Sequence, residues 1–253
     1  MDGFESQHLV RELRRAAASR LHELLAMHAE SFGPLHVRQM LLNPFCSAEH
    51  IEAVAVKRRL MAMYTVRVAV VRHRKTPQVL ALSLLPDLFW RDLMEVHLDK
   101  RLHTSVRRAA ENYLIKRLSR LAVGEKIALG RRAEGAILDH LYLDPNPRVI
   151  QAMLENPRLG EPTLLRLLSH REVTPRILDL VAASPRWGRR YAVRVALCRH
   201  PMTPFRVVFD LLPGLQRRDL EQLGAIEDLS SVVHRRAEAL IREKTPRRKA
   251  DPH

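Results

Sequence analysis

An all-α protein of stacked helical units is the fold class this sequence predicts, and three observations predict it. A stretch of thirty residues occurs twice without a gap, 127 residues apart, as Tyr64 to Leu93 and Tyr191 to Leu220, with sixteen identities. Apolar residues recur at helical spacing through almost all of the 253 residues. Proline and glycine punctuate the pattern every two to four turns, which marks short helices. Self-similarity at this scale is the signature of units that bury their apolar faces only against their neighbours.

Taken in order, Leu9, Leu13, Ala16 or Ala17, Leu21, Leu24 and Leu25 form one apolar stripe, broken at Ser31-Phe32-Gly33-Pro34. A short helix over Leu35 to Leu42 stops at Asn43-Pro44. Ser47 has the chemistry to cap a helix from Ala48 to Arg59. Tyr64, Val66, Val68 and Val70 alternate like a strand, whereas Val66, Ala69, Val70 and His73 fit one helical face. The second copy, with Tyr191, Val193, Ala196, Leu197 and His200, replaces β-branched residues by Ala and Leu and favours helix in both. Thr76-Pro77, Thr174-Pro175 and Thr203-Pro204 each place a hydroxyl before a proline, which predicts three N-capped starts. Leu84-Leu85-Pro86 and Leu211-Leu212-Pro213 end the helices that follow two of these, and new helices begin near Arg91-Asp92 and Arg218-Asp219. Val106, Ala110, Leu114, Leu118 and Leu121 mark a long helix.

The repeat keeps its register through Leu102/Leu229, Val106/Val233, Arg108/Arg235, Ala110/Ala237 and Glu111/Glu238. The expected organisation is therefore an N-terminal half, 1–122, holding block 64–114, and a C-terminal half, 123–244, holding block 191–241. Residues 245–253 form a basic tail, with Lys244 counted among its charges. An Asn-Pro cadence precedes each block, as Gln39 to Val54 and Ala152 to Leu167. The run Asp144-Pro145-Asn146-Pro147-Arg148-Val149 through Asn156-Pro157 resembles bacterial α-solenoid families of the HEAT-like and leucine-rich-repeat-variant kind. That resemblance covers Leu121 to Leu240 well and the first third more loosely. It implies a right-handed α-solenoid that binds a macromolecule, and it implies no single activity.

Net charge is +15, which would attract nucleic acid, an anionic membrane or an acidic protein. The excess is concentrated in residues 64–130, with 13 basic against 6 acidic residues. Only seven of the 43 basic residues are lysine, an Arg bias that base composition of the gene can also produce. Cys46 and Cys198 lie in apolar surroundings far apart, which fits reduced thiols in a cytoplasmic protein rather than a disulfide framework. The amino terminus has no signal-peptide pattern, and no apolar run reaches bilayer-spanning length.

The candidate ligand-binding residues are the repeated Arg67, Arg72 and His73 with Arg194, Arg199 and His200, together with Trp90 and Trp187. Recurring arginines could meet a polyanion at successive points along a stack. Arg72-His73 and Arg199-His200 equally fit the C-terminal turn of a helix, where cations oppose the macrodipole by about 0.3–1 kcal/mol. Arg91-Asp92 and Arg218-Asp219 fit structural pairs between units. The tryptophans, flanked by arginine, could stack on bases or hold a partner's side chain, or simply be partly buried. Trp90, Asp92 and Trp187 also bear a limited similarity to residues of HEAT-like DNA glycosylases, with no motif matching position for position.

No catalytic, metal or cofactor motif is present. Gly124 to Gly130 lacks the phosphate-loop spacing, no histidines pair at i,i+4, and there is no nucleophile elbow. The expectation is a non-enzymatic scaffold without cofactor, binding an acidic protein, with a nucleic-acid-binding solenoid using the repeated arginines and a HEAT-like DNA glycosylase acting on alkylated bases as the alternatives. No sequence pattern specifies an oligomeric state.

Overall fold

The computed structural model describes residues 3–142 and 144–244, and every regular element among them is helical. The chain divides into two compact units between Ser119 and Arg120, three residues before the boundary read from the sequence. The first unit holds α1 (Gly3–Arg15), α2 (Ala18–His28), α3 (Pro34–Leu41), α4 (Ala48–Ala55), α5 (Arg58–Ala62), α6 (Tyr64–Val71), α7 (Gln78–Leu84), α8 (Trp90–Leu98) and α9 (Thr104–Arg117). The second holds α10 (Val123–Gly130), α11 (Ala136–Leu141), α12 (Pro147–Leu154), α13 (Glu161–Leu168), α14 (Pro175–Ala183), α15 (Tyr191–Arg199), α16 (Phe205–Leu211), α17 (Arg217–Gly224) and α18 (Ser231–Lys244). The tail read at 245–253 lies outside the described residues.

Most of these helices are too short to persist alone in water, so packing and satisfied ends must hold them. In the first unit α1 packs on α3, α3 on α6, and α7 on α9. The second unit packs α10 on α12, α12 on α14, and α16 on α18. Val66 and Val70 are buried on one face of α6, as helical spacing requires, and they join a core with Leu13, Leu21, Phe32, Met40, Ile51 and Leu60. In the second unit Cys198, Leu212, Leu220, Leu223 and Leu240 share a core.

Side chains that reach back about thirty residues to satisfy helix-end carbonyls join successive elements. Asn43 donates to Leu13 O and Ala16 O, both at 2.9 Å. That contact explains why the predicted single stripe breaks into α1 and α2: the chain turns at Ala16-Ala17, and Asn43 takes the carbonyls exposed there. Asn156 does the same to Gly130 O and Ala133 O, both at 2.8 Å. Arg59 donates to Ala29 O and Phe32 O, and Arg186, 127 residues later, donates to Asn156 O and Leu159 O. Arg117 donates to Pro86 O and Leu88 O, and Lys244 to Pro213 O and Leu215 O, again 127 residues apart. Lys244 thus belongs to α18 and to the interior bonding of its unit, not to the tail.

The three threonines do not cap as expected. Thr76 and Thr203 turn their hydroxyls back onto Val70 O and Leu197 O of the preceding helix. Thr174 occupies the N-cap position but makes no side-chain cap bond. Side-chain capping is found instead at other helices, where the tyrosines that open α6 and α15 reach the starts of α8 and α17. Tyr64 accepts from the Phe89 N–H and donates to Asp92, while Tyr191 accepts from the Gln216 N–H and donates to Asp219. Each phenol thereby holds the start of the helix two elements on.

Candidate functional site

A groove of about 800 Å³ lies in the second unit between α13, α15 and α17. Leu165, Leu168, Val195, Ala196 and Ile226 line its apolar part, and Arg171, Arg199 and Arg218 stand at its edge. Arg171 and Arg218 are widely exposed, with side chains 91% and 76% accessible. Two carboxylates also line it. Asp219 is buried, accepts from Tyr191 at 2.6 Å, and lies 3.6 Å from Arg199 and 3.8 Å from Arg218. Asp228 lies 3.7 Å from Arg171, an exposed pair that contributes little. The groove thus combines an apolar floor with a guanidinium excess.

The first unit has a pocket of about 420 Å³ beside the equivalent turn, where Ala69, Arg72 and His73 correspond to Ala196, Arg199 and His200. Arg38, Leu41, Leu42, Arg74 and Arg101 complete its lining. Four arginines line this pocket and no carboxylate does.

Of the candidate residues read from the sequence, Arg72 and His73 line the first-unit pocket and Arg199 and His200 line the second-unit groove. Arg67 and Arg194 do not act as surface residues. Arg67 packs over the Tyr64 ring at 5.7 Å, with a terminal nitrogen 3.2 Å from Asp87. Arg194 reaches Leu211 O at 3.4 Å, and the Nε of both arginines is buried. The physical reason is register: each arginine follows a buried valine, Val66 or Val193, and so sits at the edge of the apolar face.

His73 and His200 also close turns. Each Nδ1 accepts a backbone N–H two residues on, from Lys75 or Met202, both at 3.2 Å. The Nε2 of His200 meets His170 O at 3.1 Å, and His73 reaches Leu41 in the same sense. Burial pushes His73 below the ordinary histidine value and keeps its ring neutral.

Trp187 is 1% exposed, donates its indole N–H to Leu154 O at 2.8 Å, and is covered by Arg186 and Arg190. It is a core residue with no face for a base or a partner. Its counterpart 127 residues earlier is Leu60, which is also buried. Trp90 is half-buried beneath Arg91, whose guanidinium is 5.4 Å from its ring. Asp92 is committed to Tyr64.

No sequence pattern singles out Arg38, Arg101 or Arg171, and Arg218 reads there as half of a structural pair with Asp219. Arg74 carried a signal, since it directly follows the repeated Arg-His. The two cysteines, the best nucleophiles by type, are buried, and burial pushes their thiols up to about 11 for Cys46 and about 12 for Cys198. Among the described residues no group of three or more His, Cys, Asp or Glu is placed to hold a metal ion. Among them also, no helix is long and apolar enough to cross a membrane. No protein-family profile, curated protein or solved structure matches this chain.

Proposed function

We propose that this chain is a non-enzymatic, right-handed α-solenoid of HEAT-like units that binds an acidic segment of a protein partner. The observation that carries the binding reading is the groove of the second unit, where Leu165, Leu168, Val195 and Ile226 lie under Arg171, Arg199 and Arg218. An extended or helical segment with apolar anchors flanked by Asp or Glu matches both parts: the anchors exclude water from the floor and the carboxylates meet guanidinium forks. The solenoid reading is supported by the regular reach-back of Asn43, Arg59, Arg117, Asn156, Arg186 and Lys244 to carbonyls 23 to 31 residues earlier. Stacked units of about thirty residues produce that spacing.

A nucleic-acid surface would be supported by Arg67, Arg72, Arg194 and Arg199 on one exposed face with aromatic rings between them. Arg67 and Arg194 instead serve internal contacts, and Trp187 is buried. The test is fluorescence anisotropy with labelled acidic peptides bearing leucine anchors, and with single- and double-stranded DNA and RNA, across a salt series. Peptide binding that persists near physiological salt and weakens on R199E supports the reading. Tighter nucleic-acid binding with a steep salt slope that R199E reduces would replace it.

A further inference from the structure

Among the basic side chains of the first unit, two groups contrast. Arg59, Lys75 and Arg117 each donate to two backbone carbonyls and are consumed by the fold. Arg38, Arg72 and Arg74 line the 420 Å³ pocket and, among the described residues, donate to no carbonyl or carboxylate at hydrogen-bond distance. Arg101, the fourth, is held in place by a two-point contact with Asp99, at 2.9 and 2.7 Å. Arg72 has Glu95 at 3.9 Å, a partial counter-charge. Arg38 and Arg74 have no carboxylate within ion-pair distance among the described residues. Two guanidiniums without counter-charge, in a pocket with no carboxylate in its lining, select for about two negative charges on one small group.

We propose that this pocket binds a phosphate monoester dianion. A monoester carries about −1.5 to −2 charge at pH 7 and three acceptor oxygens, enough to engage several arginine forks at once. A carboxylate brings one charge, and a phosphodiester one charge spread along a backbone. Leu41, Leu42 and Ala69 give the pocket an apolar side and room beyond the phosphoryl group, so the monoester can be borne by a carbon chain. The site stands on the first unit alone and goes beyond the peptide groove of the second.

Titration calorimetry on the full chain near physiological salt tests this, using a phosphoserine peptide, its glutamate twin, inorganic phosphate and a short single-stranded DNA. The phosphopeptide is expected to bind at least about tenfold tighter than the glutamate twin or the DNA, a difference of about 1.4 kcal/mol. The double variant R38A/R74A should lose that binding while R176A, an exposed change in the second unit, leaves it intact. If the double variant melts early, R38K/R74K keeps the charge and removes the forks, and a loss of preference for phosphate over glutamate is then the expected reading. Inorganic phosphate binding as tightly as the phosphopeptide keeps the site and assigns it to a free phosphate compound; a peptide preference assigns it to a phosphorylated side chain. Equal binding of phosphoserine and glutamate peptides, or undiminished phosphate binding by a folded R38A/R74A, overturns the proposal.

Discussion

Replacing Asn156 by alanine removes three hydrogen bonds at a fully buried position. Its amide donates to Gly130 O and Ala133 O at 2.8 Å each, and its oxygen accepts from the Arg158 N–H at 2.8 Å. Each net bond is worth about 1 kcal/mol, and each buried group left without a partner costs about 1–3 kcal/mol. Gly130 and Ala133 are themselves buried, so water cannot readily replace the amide. Together these give an expected loss of about 3–5 kcal/mol from the second unit. The assay is urea unfolding followed by Trp187 fluorescence in a W90F background, extrapolated linearly to water. A loss under about 1 kcal/mol would refute the idea that reach-back bonds of this kind hold the helices together.

The remaining expectations concern packing and ionisation. Gly188→Ala should destabilise the second unit by about 3 kcal/mol or more, because a Cβ there would lie 2.0 Å from Ala182 O and 3.2 Å from Ser184 O, both backbone atoms; thermal melting reads it. Gly214→Asp should be within about 1 kcal/mol of neutral, since the three atoms nearest a new Cβ belong to the movable guanidinium of Arg194 and the new carboxylate reproduces the Arg67–Asp87 pair. Both thiols should resist a disulfide reagent at pH 8 in the native protein and react fully in denaturant. A thiol that ionises near its ordinary value of 9.0 when unfolded, but near 11 or 12 when folded, holds its proton more tightly in the native state. Its contribution is therefore complete below about pH 9 and is lost as pH rises through the folded values, so urea midpoints should fall on the alkaline side.

The helical class was legible because the period is written in the apolar residues: Leu220 and Leu223, three apart, share a face as helix and not as strand, whereas Val66 and Val70 fit both and needed Ala196 and Leu197 of the second copy to decide. The 127-residue register was legible where side chains are identical. It was invisible where function is kept by different residues, as when Arg117 and Lys244 both hold the carbonyls after a Leu-Leu-Pro turn. A cation about thirty residues beyond such a turn was the available signal. Charge alone could not distinguish a cation that binds the protein's own carbonyls from one that faces solvent, so Arg67 and Arg194 read as surface while Arg38 and Arg171 went unnoticed. Trp187 misled for a related reason: flanking arginines suggest exposure, but here they cover the ring.

Hydrogen exchange of the full chain with and without the tightest-binding acidic peptide tests the groove most directly. The account predicts slowed exchange in the segments 165–171, 191–201 and 218–228, which line the groove, with protection reduced in R199E. Protection confined to other surfaces, or unchanged exchange at saturating peptide, would contradict it.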